Sequence, residues 1–144
     1  NQAYRAFYAI QSDLRAPDGF PTKALYGFVR ILIGICKKYK PDYVLVVFDK
    51  GKSFRVDLFP DYKGHRPEKP EDLEQQWPYL APLCEAFGIA AFDKRIGFEA
   101  DDIIGVLSEH LTDKTVIVSG DKDFLQLQKF DHISQYISDR PNLV

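Results

Sequence analysis

Two short apolar runs, each leading into acidic residues, constrain this chain more than any other feature. Tyr43-Val44-Leu45-Val46-Val47-Phe48 stops at Asp49, and Thr115-Val116-Ile117-Val118 passes through Ser119-Gly120 into Asp121-Lys122-Asp123. Continuous apolar runs of this length, alternating with helical segments, predict buried strands of a parallel sheet. In open sheets of that kind ligands bind beyond the carboxyl ends of the strands. Asp49, Asp121 and Asp123 all fall at such ends.

A third acidic group sits in Gly97-Phe98-Glu99-Ala100-Asp101-Asp102-Ile103-Ile104-Gly105, after the short predicted strand Ile89–Phe92. With Glu99 ending the loop and Asp101 and Asp102 in the first helical turn, all three lean toward one point beyond the helix N-terminus. A helix start favours each anion by roughly 0.3–1 kcal/mol, and on its own the stretch also fits ordinary acidic capping. Three like charges a few ångströms apart resist joint ionisation. A divalent cation relieves that repulsion, and hard oxygen ligands favour Mg²⁺ or Mn²⁺ over Zn²⁺. Six carboxylates converging on one rim therefore read as a metal site.

The intervening chain supplies the helices. Residues 1–11 carry Tyr4, Arg5, Phe7 and Tyr8, a short aromatic helix or loop with one buried face; Arg5 is either a solvated charge or a phosphate contact near the site. From Thr22 to Lys40 apolar residues recur at Leu25, Phe28, Val29, Leu32, Ile33 and Cys36, a helical face that Pro41 ends. Pro70 opens another helix, which Pro78 and Pro82 break near Trp77 before it stops at Gly88. A helix spans 101–111, Phe124, Leu125 and Leu127 predict a brief helix on the core, and His132–Ile137 alternates like a strand.

At 144 residues the chain makes one domain, and no apolar segment approaches the roughly 18–20 residues needed to span a bilayer. A cytoplasmic location is expected, with Cys36 and Cys84 as buried, reduced thiols. His65, His110 and His132 show no zinc spacing, and no phosphate-binding glycine loop points to a nucleotide cofactor. There is no methionine, so an initiator residue is expected to precede Asn1, and Asn142-Leu143-Val144 reads as an interrupted strand. The sequence is thus expected to be a piece of a longer protein.

The formal charge of −2 hides a local reversal. Residues 50–70 hold six basic side chains (Lys50, Lys52, Arg55, Lys63, Arg66 and Lys69) against three acids, with Phe54, Phe59 and Tyr62 interleaved. Cations beside stacking rings suit a flexible single-stranded nucleic acid, although such a loop can equally tuck its aromatics into the core. His65, in the same segment, is placed to touch phosphate.

Val46-Val47-Phe48-Asp49 with Gly51-Lys52 and Phe54-Arg55, Tyr62-Lys63-Gly64-His65-Arg66-Pro67, the Gly97–Gly105 stretch and Ser119-Gly120-Asp121-Lys122-Asp123 together resemble the flap-endonuclease family. Within it the likeness is strongest to the 5′→3′ exonuclease domains of bacterial DNA polymerase I and their stand-alone relatives. The resemblance covers nearly the whole chain in the right order. It implies a PIN-like three-layer α/β fold with a mainly parallel central sheet and a nuclease with two Mg²⁺ or Mn²⁺ ions that cuts 5′ flaps and 5′ ends of DNA in replication and repair. By that likeness Asp49, Glu99 and Asp101 serve one ion and Asp102, Asp121 and Asp123 the other. Arg5, Lys63 and Arg66 match positions that handle the scissile phosphate, Tyr62 one that stacks on the terminal base, and residues 50–69 the arch that a 5′ end threads, with Lys52, Arg55 and His65 among its nucleic-acid contacts. The family's first strand, ending in Asp-Gly upstream of Asn1, and its helix–three-turn–helix DNA-binding region after residue 144 are outside this sequence. Loss of that strand would leave a gap of about 9–10 Å in the sheet, so weak or no cleavage is expected of this chain alone and cleavage of a longer form. A monomer is expected, with a polymerase fused or acting alongside. Two other functions share parts of the pattern: a PIN-type endoribonuclease, and a non-catalytic module that binds branched DNA.

Overall fold

The computed structural model describes residues 2–49, 51–65, 67–92 and 97–137. Arg66, Lys50 and the turn expected at 139–142 lie outside the described residues. The described chain runs α1 (Gln2–Ala9), α2 (Lys23–Tyr39), β1 (Leu45–Val47), α3 (Arg55–Leu58), α4 (Glu71–Gln76), α5 (Leu80–Ala86), β2 (Ala90–Phe92), α6 (Ala100–His110), β3 (Thr115–Val118) and β4 (Ile133–Tyr136). A 3₁₀ turn over Trp77–Tyr79 joins α4 to α5, the break that Pro78 requires, and Gly88 at φ 70° ends α5.

Both strand pairs among the described residues are parallel. β1 pairs with β2 in the register Val46↔Ala91, and β3 pairs with β4 in the register Ile117↔Gln135. The mixed α/β class with parallel strands is thus as the sequence implies. Among the described residues, however, the strands form two separate pairs rather than one continuous sheet. They are also shorter and wetter than the apolar runs suggest. Tyr43 is 93% exposed and stands outside β1, while Leu45 is half exposed. In a two-stranded sheet each strand keeps one unpaired edge, and residues along that edge stay open to solvent.

Apolar packing falls into adjoining clusters. Ala3, Ala6, Phe28, Leu32, Leu80 and Cys84 form the larger, with Val46, Phe48 and Ala91 of the first sheet against it. Ile117, Phe124, Leu127 and Ile133 form another, joined by Ile104 and Phe130. The helix over Lys122–Lys129 is 3₁₀, and its buried Phe124 and Leu127 are spaced by the three residues of one such turn. Burial pushes the Cys84 thiol up to about 11, which makes it inert, whereas Cys36 is only half-buried; both are free.

α1 and α2 cross at Gly27, where an added Cβ would lie 2.8 Å from the Ala6 carbonyl oxygen and 3.1 Å from Ile10 Cδ1. The crossing therefore depends on a missing side chain. Alanine normally favours a helix over glycine by about 1 kcal/mol. Here Gly27→Ala is expected to destabilise by about 1–3 kcal/mol, because backbone must shift to make room. Denaturant titration of the two proteins measures the difference, and a more stable variant would contradict this packing.

Candidate active site

Three chain segments meet at the start of α6. Asp49 lies two residues past the end of β1, and its Oδ1 accepts the Ala100 backbone N–H at 2.7 Å. Glu99 is the N-cap of α6: its side chain takes the Asp102 N–H, and the Asp102 carboxylate takes the Glu99 N–H at 3.0 Å, a reciprocal capping box. The basic segment is tied to the same place through backbone. Ser53 bridges to Gly97, Phe54 donates its N–H to the Gly97 carbonyl at 2.9 Å, and the Phe54 and Phe98 rings pack at 5.8 Å. Gly97 has φ 92°, a conformation that other residues rarely adopt.

With the backbones joined, the cations of that segment descend on the acids. Arg55 makes a two-pronged bond to Asp102, at 2.8 and 2.7 Å. Lys63 Nζ lies 2.8 Å from Glu99, and the Tyr62 hydroxyl donates to the other Glu99 oxygen at 3.2 Å. Lys63 achieves this from a left-handed backbone, φ 59°, which costs a non-glycine residue about 1–2 kcal/mol. A cleft of about 240 Å³ opens here, lined by Asp49, Lys52, Tyr62, Lys63 and Glu99 among others.

The titration behaviour of the acids differs by partner. Hydrogen bonds from Arg55 hold Asp102 below the usual carboxylate range, despite some burial. Burial pushes Glu99 up, but Lys63, Tyr62 and Arg55 together outweigh it and leave it lowered. Asp101 goes the other way: burial raises it, and the Asp121 and Asp49 carboxylates raise it further. Asp121 and Asp49 thus act on Asp101 as repelling charges, with Glu99 adding to them and Lys63 offsetting part, while Glu99 and Asp102 each have a close cationic partner.

A lowered folded-state pKa contributes stability above the unfolded value and loses it as pH falls through the folded value. For Glu99 and Asp102 that loss begins below about pH 4. Asp101, being raised, has the opposite sign, favouring the folded state more in acid. Arg55→Gln is expected to cost about 1–3 kcal/mol at pH 7, with a much smaller difference from the parent at pH 3. Thermal unfolding across that range checks it; a cost independent of pH would show that Asp102 is not the partner that matters.

Other expected site residues have partners of their own. Asp121 caps the 3₁₀ helix, its Oδ1 accepting the Asp123 N–H at 3.0 Å, and Asp123 is exposed at that helix's start. Among the described residues, no three acidic, histidine or cysteine side chains are drawn close enough to hold an ion as they stand. Asp49, Glu99, Asp102 and Asp121 instead accept from nearby donors. Lys52 pairs with Asp57 at the surface, 3.4 Å apart, and His65 is exposed in the turn after Lys63. Arg5 stands half-buried on α1, one turn beyond Gln2, whose side chain donates to the Val118 carbonyl at 3.1 Å. His110 and His132 bond to backbone carbonyls of α6. Sequence reasoning missed Gln2 and Gln135, whose amides hold the turn before Asp121; a glutamine within the alternating run 132–137 was the available signal.

An α/β domain with parallel strands that gathers carboxylates at strand ends and a helix start, beneath a basic aromatic segment, is of the resolvase-like class. The chain belongs to the family described as 5′-3′ exonuclease, N-terminal resolvase-like domain, which matches residues 1–142. It is 43% identical to a DNA polymerase I of Chloroflexus aurantiacus over 91% of this chain and 14% of that protein. It is 41% identical to a protein of Aquifex aeolicus named 5′-3′ exonuclease, over 86% of this chain and 44% of that protein. A DNA polymerase I of Lactococcus lactis subsp. cremoris is 38% identical over 87% of this chain and 15% of its own length. The chain therefore spans less than half of each of these relatives. No helix among the described residues is long and apolar enough to cross a membrane.

Proposed function

We propose that the chain is the core of a divalent-metal-dependent 5′ nuclease that cuts 5′ ends and 5′ flaps of DNA during replication and repair in the bacterial cytoplasm. The observation that carries this is the placing of Asp49 and Glu99 with Lys63 and Tyr62 along one cleft, beside an Asp101 carboxylate whose ionisation Asp121 and Asp49 oppose. The donor set fits hard divalent cations, since every side chain offered is a carboxylate and Asp121 and Asp49 still oppose ionisation of Asp101. Asp49, Glu99 and Asp101 would hold one Mg²⁺ or Mn²⁺, and Asp102, Asp121 and Asp123 a second. Bound there, such ions supply an activated water and a counter-charge for the leaving oxygen of a phosphodiester.

The chain's own residues do the rest. Asp49 and Glu99 are held by backbone N–H groups of α6, so their carboxylates are oriented before substrate arrives. Lys63, now on Glu99, is within reach of a phosphate oxygen placed in the cleft, where its charge would stabilise the transition state. Tyr62 offers a ring to a terminal base, residues 50–69 form the arch around a single strand, and Arg5, Arg66, Lys52, Arg55 and His65 add phosphate contacts. The protein acts as a monomer, with a polymerase fused to it or working alongside.

The test compares 5′-flap DNA with single-stranded RNA, each with and without Mg²⁺, using the longest natural form of the protein. Mg²⁺-dependent cleavage confined to the DNA is expected, with Lys63→Ala slowing it about 10²-fold. Cleavage of the RNA instead would make it an endoribonuclease. DNA bound but intact at every Mg²⁺ concentration would make it a branch-binding module.

A further inference from the structure

We propose that Gln135 is a positioning residue for Asp121, acting through the backbone turn that carries it. β4 runs parallel to β3 with Gln135 opposite Ile117, two residues short of the turn. From there its Nε2 donates to the Ser119 carbonyl at 2.9 Å and to the Asp121 carbonyl at 2.5 Å. Gln2 of α1 takes the preceding carbonyl, that of Val118, at 3.1 Å. Inside the turn the buried Ser119 accepts the Asp121 N–H on its Oγ at 3.1 Å, and Asp121 Oδ1 accepts the Asp123 N–H. The backbone on both sides of the Asp121 Cα is thereby tied to other elements, which fixes where its carboxylate points.

The other half of the same amide makes no matching contribution. Gln135 Oε1 is buried and has no hydrogen-bond partner among the described residues. A half-satisfied buried amide is a worse choice for stability than an aliphatic side chain of similar size. Its two donor bonds are what distinguish it, and both end on the acid-bearing turn. Groups that orient an acid from behind typically contribute about 10- to 100-fold to metal affinity or rate.

The inference rests on the nuclease reading for its consequence and on the turn's rigidity for its cause, so its test reads both. In the full protein, Gln135→Leu and Gln135→Glu each remove the donors, and the latter keeps the shape. Amide hydrogen exchange at Asp121 and Asp123 is expected to quicken about tenfold or more, while Ile117 and Ile133 in the adjoining strands stay protected. On 5′-flap DNA, kcat is expected to fall about 10- to 100-fold with KM unchanged, and the Mg²⁺ concentration for half-maximal rate to rise about tenfold. Unchanged exchange, exchange that quickens with no change in kcat, or wild-type behaviour of Gln135→Glu overturns the proposal. A wild-type protein that never cleaves overturns the nuclease reading alone, and the exchange result still decides whether Gln135 holds the turn.

Discussion

Asp101→Asn and Asp121→Asn are each expected to reduce Mg²⁺-dependent cleavage by at least about 10²–10³-fold, or roughly 3–4 kcal/mol of transition-state stabilisation. Asparagine keeps the volume and an acceptor oxygen, so the Asp121→Asn side chain can still cap the Asp123 N–H that Asp121 now accepts. What disappears is charge. Asp101 adds a second, opposite readout. Its raised pKa means that ionisation there is less favourable in the folded protein than in the unfolded chain, because burial and the neighbouring Asp121 and Asp49 oppose it. The amide of Asp101→Asn removes that charge. Without divalent ions this variant should therefore match or slightly exceed the parent in stability, by about a few tenths of a kcal/mol. With millimolar Mg²⁺ the order should reverse, since ligand binding stabilises only the parent. Thermal unfolding in chelator and in Mg²⁺, beside flap cleavage, checks both halves. A variant that gains from Mg²⁺ as much as the parent would remove Asp101 from the metal ligands.

The largest expected stability effect lies away from the acids, at Gln76. This side chain is fully buried between α2 and α4. Thr22, at the N-cap of α2, makes no side-chain cap; instead Gln76 Oε1 accepts the Ala24 and Leu25 N–H groups at 2.8 and 3.1 Å. Its Nε2 donates to the Asp72 carbonyl at 2.6 Å. One amide thus serves two orphan donors of a 17-residue helix from a residue 52 positions beyond Ala24. Gln76→Met has nearly the same shape and cannot accept these bonds well. It is expected to cost about 2–4 kcal/mol, because each buried donor left unpaired costs about 1–3 kcal/mol, and to lower the melting temperature by roughly 10 °C. A loss below about 1 kcal/mol would show that water reaches the start of α2.

The local elements and the acids could be read from sequence because their causes are local. The face of α2 follows from the spacing of Leu25, Phe28 and Leu32, the break at Trp77–Tyr79 from Pro78, and the start of α6 from Glu99 with Asp102 three residues on. The short chemistry-bearing motifs likewise carried the family, since each is contiguous.

What sequence could not divide was the six carboxylates. All lie at strand ends or a helix start, and by charge alone they are alike. Tertiary structure separates them: the Ser53–Gly97 bridge brings Arg55 and Lys63 onto Asp102 and Glu99, leaving Asp101 facing the Asp121 and Asp49 charges that oppose its ionisation. The same holds for the strands, whose apolar runs predict burial on both faces although two-stranded pairing leaves Leu45 half exposed. Gln76 and Gln135 are invisible for the same reason, because an amide's role is set by which distant carbonyl or N–H it meets. Period, capping and contiguous motif are properties of neighbours in the chain, and these the sequence determined unaided. Ion pairing, strand coverage and the partners of a buried amide are properties of neighbours in space, and only the folded arrangement decided them.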